Sequence, residues 1–212
     1  MAATPRSGPR YKLYYFDLPG RAEAIRLAFK TAGVPFADIR VTTEQWKLMK
    51  PKTPYGSLPV LEIEGRQFGE TGAILRWAGR KFGLSGKGDA DELVVEAVLC
   101  QASALTEEYA VAAFQTKDEA EKEKLLGKFK ENALAYLDRW EALAKDTKSS
   151  NRTYTYLVGT SLTVADLYVY RLVEELGKLT DLDLSKYKKL RNLKATIEAI
   201  PAIKDYLASC ST

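Results

Sequence analysis

The chain of 212 residues contains no histidine and only two cysteines, Cys100 and Cys210. Without histidine there is no imidazole general base, no Ser-His or Cys-His nucleophile pair, and no histidine-ligated metal. Two cysteines far apart in sequence make no C-x-x-C redox pair, zinc cluster or disulfide framework. They favour a reducing, cytoplasmic setting. No apolar run approaches the roughly 20 residues that cross a bilayer, so no membrane span is expected. Residues 1–10 lack the apolar stretch of a signal peptide and read as a short disordered leader. Charge of one sign is also scarce: the net charge is only +4, and lysines alternate with acids in "KDEAEKEKLLGKFKE". That run reads as a solvated helix face rather than a nucleic-acid patch. Any chemistry must run on phenol, carboxylate, ammonium, guanidinium or a borrowed nucleophile.

What is present is an ordinary globular composition, 46% hydrophobic and 28% charged, in a chain long enough for two small cores. The first part alternates in type. "YKLYYF" (11–16) is a β-rich run stopped by Pro19-Gly20, and "RAEAIRLAFKTAGV" is helical, ending at Gly33. A strand over 36–42 follows, then a short helix or turn closed by Pro51 and Pro54. Strands over 58–63 and 66–68 are joined across Glu64-Gly65, and a helix spans 71–84. The order β-α-β-(α)-β-β-α makes residues 11–84 a small α/β sheet domain. A Gly/Ser/Asp linker over 85–91 leads to an all-helical domain, 92–212, in which no strand pattern is read and "DTKSSNRTYTY" is a polar loop. "Leu162-Thr163-Val164-Ala165-Asp166-Leu167" opens one helix with Thr163 as N-cap and Asp166 answering at N3, a structural cap.

Three features near the end of the first strand are candidates for chemistry. Tyr14 and Tyr15 point to opposite faces, so one belongs to the sheet's packing. The other serves the strand's C-terminal end, where α/β folds bind ligands and the next helix presents free N–H groups. In "GSLPVL", Pro59 at a strand start fits either a cis bond that turns Leu58's backbone groups toward a peptide-like ligand or a plain edge strand. Glu70-Thr71 opens a helix with a carboxylate, a hydroxyl and free amides, either as a ligand site or as a simple cap.

Taken together, "Y-K-L-Y-Y-F…G-R-A-E-x-I-R", "W-x-x-x-K…P-Y-G-S-L-P-V-L-E-I-E-G", "E-T-G-A-I-L-R" and "V-G-T-S-L-T-V-A-D" resemble the cytosolic glutathione transferases, from about Tyr11 to Leu207. The resemblance is strongest to the sigma class, which includes the haematopoietic-type prostaglandin D synthases. It implies a thioredoxin-like N-terminal domain holding glutathione, and an all-α C-terminal domain lining a pocket for hydrophobic electrophiles. It implies a detoxifying homodimer with Tyr55 a contact ring; the charge pattern and the lack of a long apolar run leave no nucleic-acid or membrane partner expected. The family's catalytic tyrosine precedes the phenylalanine, which makes Tyr15 the working phenol and Tyr14 its packing neighbour. Arg21 is expected near the thiolate. Trp46 and Lys50 are expected at the glycyl end of glutathione, and Leu58, flanked by Ser57 and Pro59, at the cysteinyl unit. Glu70 and Thr71, where the family more often has Gln-Ser, are expected at the γ-glutamyl end. The electrophile pocket draws on Phe16, Tyr109, Phe114 and Tyr168, with Arg171 adding polarity if it faces inward.

Relatives also lend an aspartate to the neighbouring subunit's glutathione. Here Cys100 or Gln101 stands at that place, with Glu70 as the compensating charge. The aspartate cluster that binds metal in the prostaglandin synthases is missing, so neither that isomerase activity nor a metal is carried over. Having no cysteine before Cys100, the chain is not one of the relatives that use an active-site cysteine. The alternatives are a non-catalytic binding or crystallin-type protein on the same fold, and a glutathione-dependent isomerase or peroxidase.

Overall fold

The computed structural model describes residues 10–149, 152–180 and 182–210. Most of the expected leader therefore lies outside the described residues. Arg10 is the exception, and its Nε pairs with Glu64 at 3.0 Å.

The first half is a four-stranded sheet with helices against it. Strand β1 (Tyr11–Phe16) leads through a 3-10 turn at Gly20–Ala22 into α1 (Glu23–Thr31). Then come β2 (Ala37–Val41), α2 (Thr43–Met49), β3 (Val60–Ile63), β4 (Arg66–Phe68) and α3 (Thr71–Phe82). The sheet order is β2-β1-β3-β4, with β1 parallel to β2 and antiparallel to β3. This is the thioredoxin-like arrangement expected. The β3–β4 turn uses Glu64 and Gly65 at φ 52° and 88°, the left-handed pair a two-residue hairpin needs. Because β3 lies between β1 and β4, it is an interior strand, and the edge-strand explanation of Pro59 fails. The Leu58–Pro59 bond is cis.

Burial along β1 alternates: Tyr11, Leu13 and Tyr15 are buried, while Lys12, Tyr14 and Phe16 are partly open. The buried face meets a ring cluster in which Phe29 touches Tyr11, Phe36, Trp77 and Phe82 at centroid distances of 4.9–6.2 Å. Inside α1 sits a charge, Arg26, with no exposed side-chain surface. Its Nε donates to Asp38, and its Nη1 donates to the Leu18 and Pro19 carbonyls and to Glu23. Glu23 Oε2 also accepts from Tyr206 Oη at 3.2 Å, so the last helix is bonded to the first.

The second half is helical: α4 (Gly88–Ala110), a π-helical turn at Val111–Gln115, α5 (Glu119–Leu143), α6 (Val164–Leu179), α7 (Lys188–Glu198) and α8 (Pro201–Cys210). Two expectations need correcting. Helix α4 begins inside the stretch read as a linker. Asp89 and Asp91 occupy its first turn, where acids favour a helix N-terminus, and Asp91 accepts from Lys87 N–H at 3.1 Å. The stretch read as a polar loop is an antiparallel ribbon, β5 (Lys145–Ser149) with β6 (Arg152–Tyr156). Only Thr155 of the ribbon is buried. It bonds Asp146 at 2.7 Å and Thr196 at 3.0 Å, so the strands carry no apolar alternation to betray them.

The cap of α6 is as expected. Thr163 caps the helix, and Asp166 accepts from the Thr163 N–H and hydroxyl and from the Leu157 N–H at 2.6–2.7 Å. Complete burial pushes the Asp166 carboxyl up to about 6, against the pull of those donors.

Candidate active site

A cavity of about 880 Å³ separates the two halves. Its sheet-side wall is the loop after β1, the start of α2 and the segment 56–58; its helix-side wall comes from α4, the π-helical turn and α6.

Tyr15 is part of the sheet-side wall. The ring is 7% exposed, and its hydroxyl oxygen accepts the Arg21 N–H at 3.0 Å. Gly20 makes this approach possible. At φ 44°, a Cβ there would stand 2.6 Å from Tyr15 Oη and 2.7 Å from Leu18 Cδ1. Burial pushes the Tyr15 phenol above its ordinary value, and Glu175's charge adds to the rise; the Arg21 N–H and the Arg21 and Arg26 charges pull the other way. The phenol is thus neutral at physiological pH, with one lone pair committed and its proton bonded to no acceptor among the described residues.

As expected, Tyr14 packs against the core, but from the less buried side of the sheet. It lies on the open face, where its hydroxyl donates to Glu62 at 3.1 Å beside the Lys12–Glu62 pair at 2.8 Å. The two tyrosines do take opposite faces, but the buried face is the one α1 and α3 cover, and that is the face of Tyr15.

Phe16, Arg21, Trp46, Ser57 and Leu58 line the same cavity, with the Phe16 and Trp46 rings edge-to-face at 6.4 Å. Tyr109 and Phe114 line the helix-side wall, their rings 5.7 Å apart. Other predicted residues stand behind or beside the wall. Lys50 is exposed in a turn after α2 and runs beside Gly56, a wall residue, whose Cβ position is 3.8 Å from Lys50 Cε. Pro59 follows Leu58 into β3. Glu70 precedes α3 at φ 69°, a left-handed conformation that costs a non-glycine residue of order 1 kcal/mol or more. Buried Thr71 donates to the Arg21 carbonyl at 3.4 Å.

Two electrophile-pocket expectations are corrected. Tyr168 is 3% exposed and bonded to Thr106 at 3.2 Å, and it is Thr106 that reaches the cavity. Arg171 is buried and pairs with its i+4 neighbour Glu175 at 2.8 Å; the wall residue is Glu175. The sequence reading therefore had the right helix turn but the opposite charge. It also missed Glu107, which pairs with Arg21 at 2.7 Å and ties the two walls together. The only sequence signal for Glu175 was its i+4 spacing from Arg171.

Of the residues standing where relatives lend an acid to a second subunit, Gln101 Oε1 accepts the Trp140 indole N–H at 2.9 Å. Cys100 is exposed, 3.2 Å from Arg76 Nη2. Among the described residues no helix is long and apolar enough to cross a membrane.

Comparison with known proteins decides the family. Residues 11–80 match the model of the glutathione S-transferase N-terminal domain, and residues 104–210 match that of the C-terminal domain. The chain belongs to the glutathione S-transferase family. Glutathione S-transferase 4 of Caenorhabditis elegans is 36% identical over 208 residues, covering 95% of this chain and 97% of the relative. Glutathione S-transferase 1 of Ascaris suum is 36% identical over 205 residues, covering 94% and 96%. Among solved structures, prostaglandin synthase D of Nilaparvata lugens superposes with a TM-score of 0.81 at 28% identity, covering 94% of this chain and 98% of its own. These neighbours support a sigma-like member. The enzyme is a glutathione transferase, and glutathione is its family's substrate.

Proposed function

We propose that the enzyme activates glutathione as a thiolate through the Tyr15 hydroxyl and conjugates it to hydrophobic electrophiles. The observation that carries this reading is the Arg21 N–H to Tyr15 bond. It occupies the oxygen from one side, fixes the ring at the cavity wall, and leaves the phenol's own proton to be donated. A free thiol of pKa about 8.5 is only about 3% ionised at pH 7. A hydrogen bond from a neutral phenol stabilises the thiolate and not the thiol, so it lowers that pKa. Lowering it by about 2 units corresponds to roughly 2.7 kcal/mol and makes most of the bound thiol nucleophilic. The sulfur then attacks the electrophilic carbon, and the displaced group leaves with the electron pair. No imidazole is required.

In this reading residues 11–84 hold glutathione. Trp46 and Lys50 meet the glycyl end, the Leu58 backbone, between Ser57 and Pro59, meets the cysteinyl unit, and Glu70 and Thr71 meet the γ-glutamyl end. The left-handed Glu70 supports a functional role there, since strained backbone collects at ligand clamps. Residues 92–212 supply Tyr109 and Phe114 to the electrophile, with Phe16 opposite. A sigma-class homodimer acting in detoxification in the cytoplasm completes the reading. Tyr55, 66% exposed, is its proposed contact ring.

The test is an ultraviolet difference titration of the glutathione complex, following thiolate against pH. The expected result is an apparent thiol pKa about 2 units below that of free glutathione in wild type, rising toward the free value in Tyr15→Phe. Because burial raises the phenol above its ordinary 10.0, the thiolate signal should rise with pH and show no second ionisation from Tyr15 below about pH 10. A wild-type titration matching free glutathione would overturn thiol activation and leave a binding protein on this fold.

A further inference from the structure

The proposed chemistry leaves the charged residue of the helix-side wall without a role. Glu175, with Thr106 and Tyr109, lines both the main cavity and a small cavity behind it, whose remaining walls are Leu105, Phe129, Leu172 and Leu176. Its side chain keeps 26% exposure, whereas its partner Arg171 keeps 10% and is not part of the wall. A ligand entering the helix side of the cavity therefore meets the carboxylate first, with the guanidinium behind it. Glu175's charge also contributes to the upward push on the phenols of Tyr15, Tyr109 and Tyr168, which come from three different elements around the space. Arg21's charge opposes it at Tyr15 and Tyr168. The other charged wall residues are the acids Asp17 and Glu44 and one cation, Arg21, already paired with Glu107.

We propose that Glu175 sets the charge preference of the electrophile side, selecting neutral or cationic electrophiles over those that carry a carboxylate. The inference rests on the transferase reading above and names its substrate class. An ammonium or amide N–H at the far end of an electrophile finds an acceptor at the mouth of the inner apolar cavity. A carboxylate at the same place meets a like charge in a half-buried setting, where water screens poorly.

The test compares 1-chloro-2,4-dinitrobenzene with 4-chloro-3,5-dinitrobenzoate, which carries its charge opposite the reacting carbon. In both, a sulfur–carbon bond forms and chloride departs with its electron pair. The ratio of kcat/KM, anionic over neutral, is measured for wild type, Glu175→Gln and Glu175→Asp, each normalised to the uncatalysed reaction. The expected result is a rise of about tenfold in Glu175→Gln and a change within about twofold in Glu175→Asp, which keeps the charge. A second measurement needs no variant: raising salt from about 0.05 to 0.5 M should lift the same ratio in wild type by screening the repulsion. A ratio indifferent to both salt and Glu175→Gln overturns the inference while leaving the transferase reading intact. Absence of conjugation with either compound by folded wild type overturns both.

Discussion

On the sheet side of the cavity, position is dictated by backbone. The turn at Gly20 admits the Tyr15 ring, and the Arg21 amide holds its oxygen. On the helix side, position is dictated by which side chains of α4 and α6 reach past their neighbours. Thr106 reaches the space and Tyr168 behind it does not; Glu175 reaches it and Arg171 does not. A wall set by backbone tolerates little change without losing its chemistry. A wall set by side chains can change what it accepts while the chemistry stays, which suits a reaction whose nucleophile is constant and whose electrophile varies.

Four substitutions break or sharpen this contrast. The largest effect is expected on the footing of the helix-side wall. Asp166→Ala leaves the Leu157 and Thr163 donors unpaired in a fully buried place, and should cost about 3 kcal/mol of stability, read as a lowered urea midpoint. A loss under about 1 kcal/mol would mean the capping box does not hold α6. The next is Tyr15→Phe, expected to lower kcat/KM at least tenfold, about 1.4 kcal/mol, while Tyr14→Phe on the opposite face changes it less than twofold. Equal losses would remove the distinction between the two phenols. The smallest is Gly20→Ala. Its methyl would press on the Tyr15 hydroxyl at a left-handed position, and it should cost about 1 kcal/mol of stability and severalfold in turnover. Unchanged turnover would show that the sheet-side wall is less rigid than its backbone implies.

The same contrast explains what could be read from the sequence. Strand-end and turn motifs announce themselves: the YYF stop before Pro19-Gly20, the Glu64-Gly65 hairpin, the Thr163/Asp166 cap and the α/β order of the first half all stand as expected. So does the gathering of Tyr15, Arg21, Trp46 and Leu58 around one space. The facing of helical side chains was legible in part: Tyr109 and Phe114 reach the cavity, whereas Tyr168 and Arg171 do not. Arg171 and Glu175 are one turn apart on one side of α6, and packing against α4, not periodicity, decides which reaches the cavity. Alternation put Tyr14 and Tyr15 on opposite faces. Which face is covered depends on α1 and α3, about which the strand itself is silent. The β5–β6 ribbon escaped because a strand with a single buried residue has no hydrophobic pattern.

The bond from Tyr206 to Glu23 carries a consequence for how the chain is made. Synthesis delivers the sheet half first, yet one of the donors to its buried Glu23 carboxylate arrives 183 residues later. Until α6 and α8 are made, the flank of α1 that they cover stays open to water and Glu23 lacks the Tyr206 donor. The thioredoxin-like half is thus completed only once α8 has been made, and a ribosome stalled before α8 holds a nascent chain whose first helix lacks that bond.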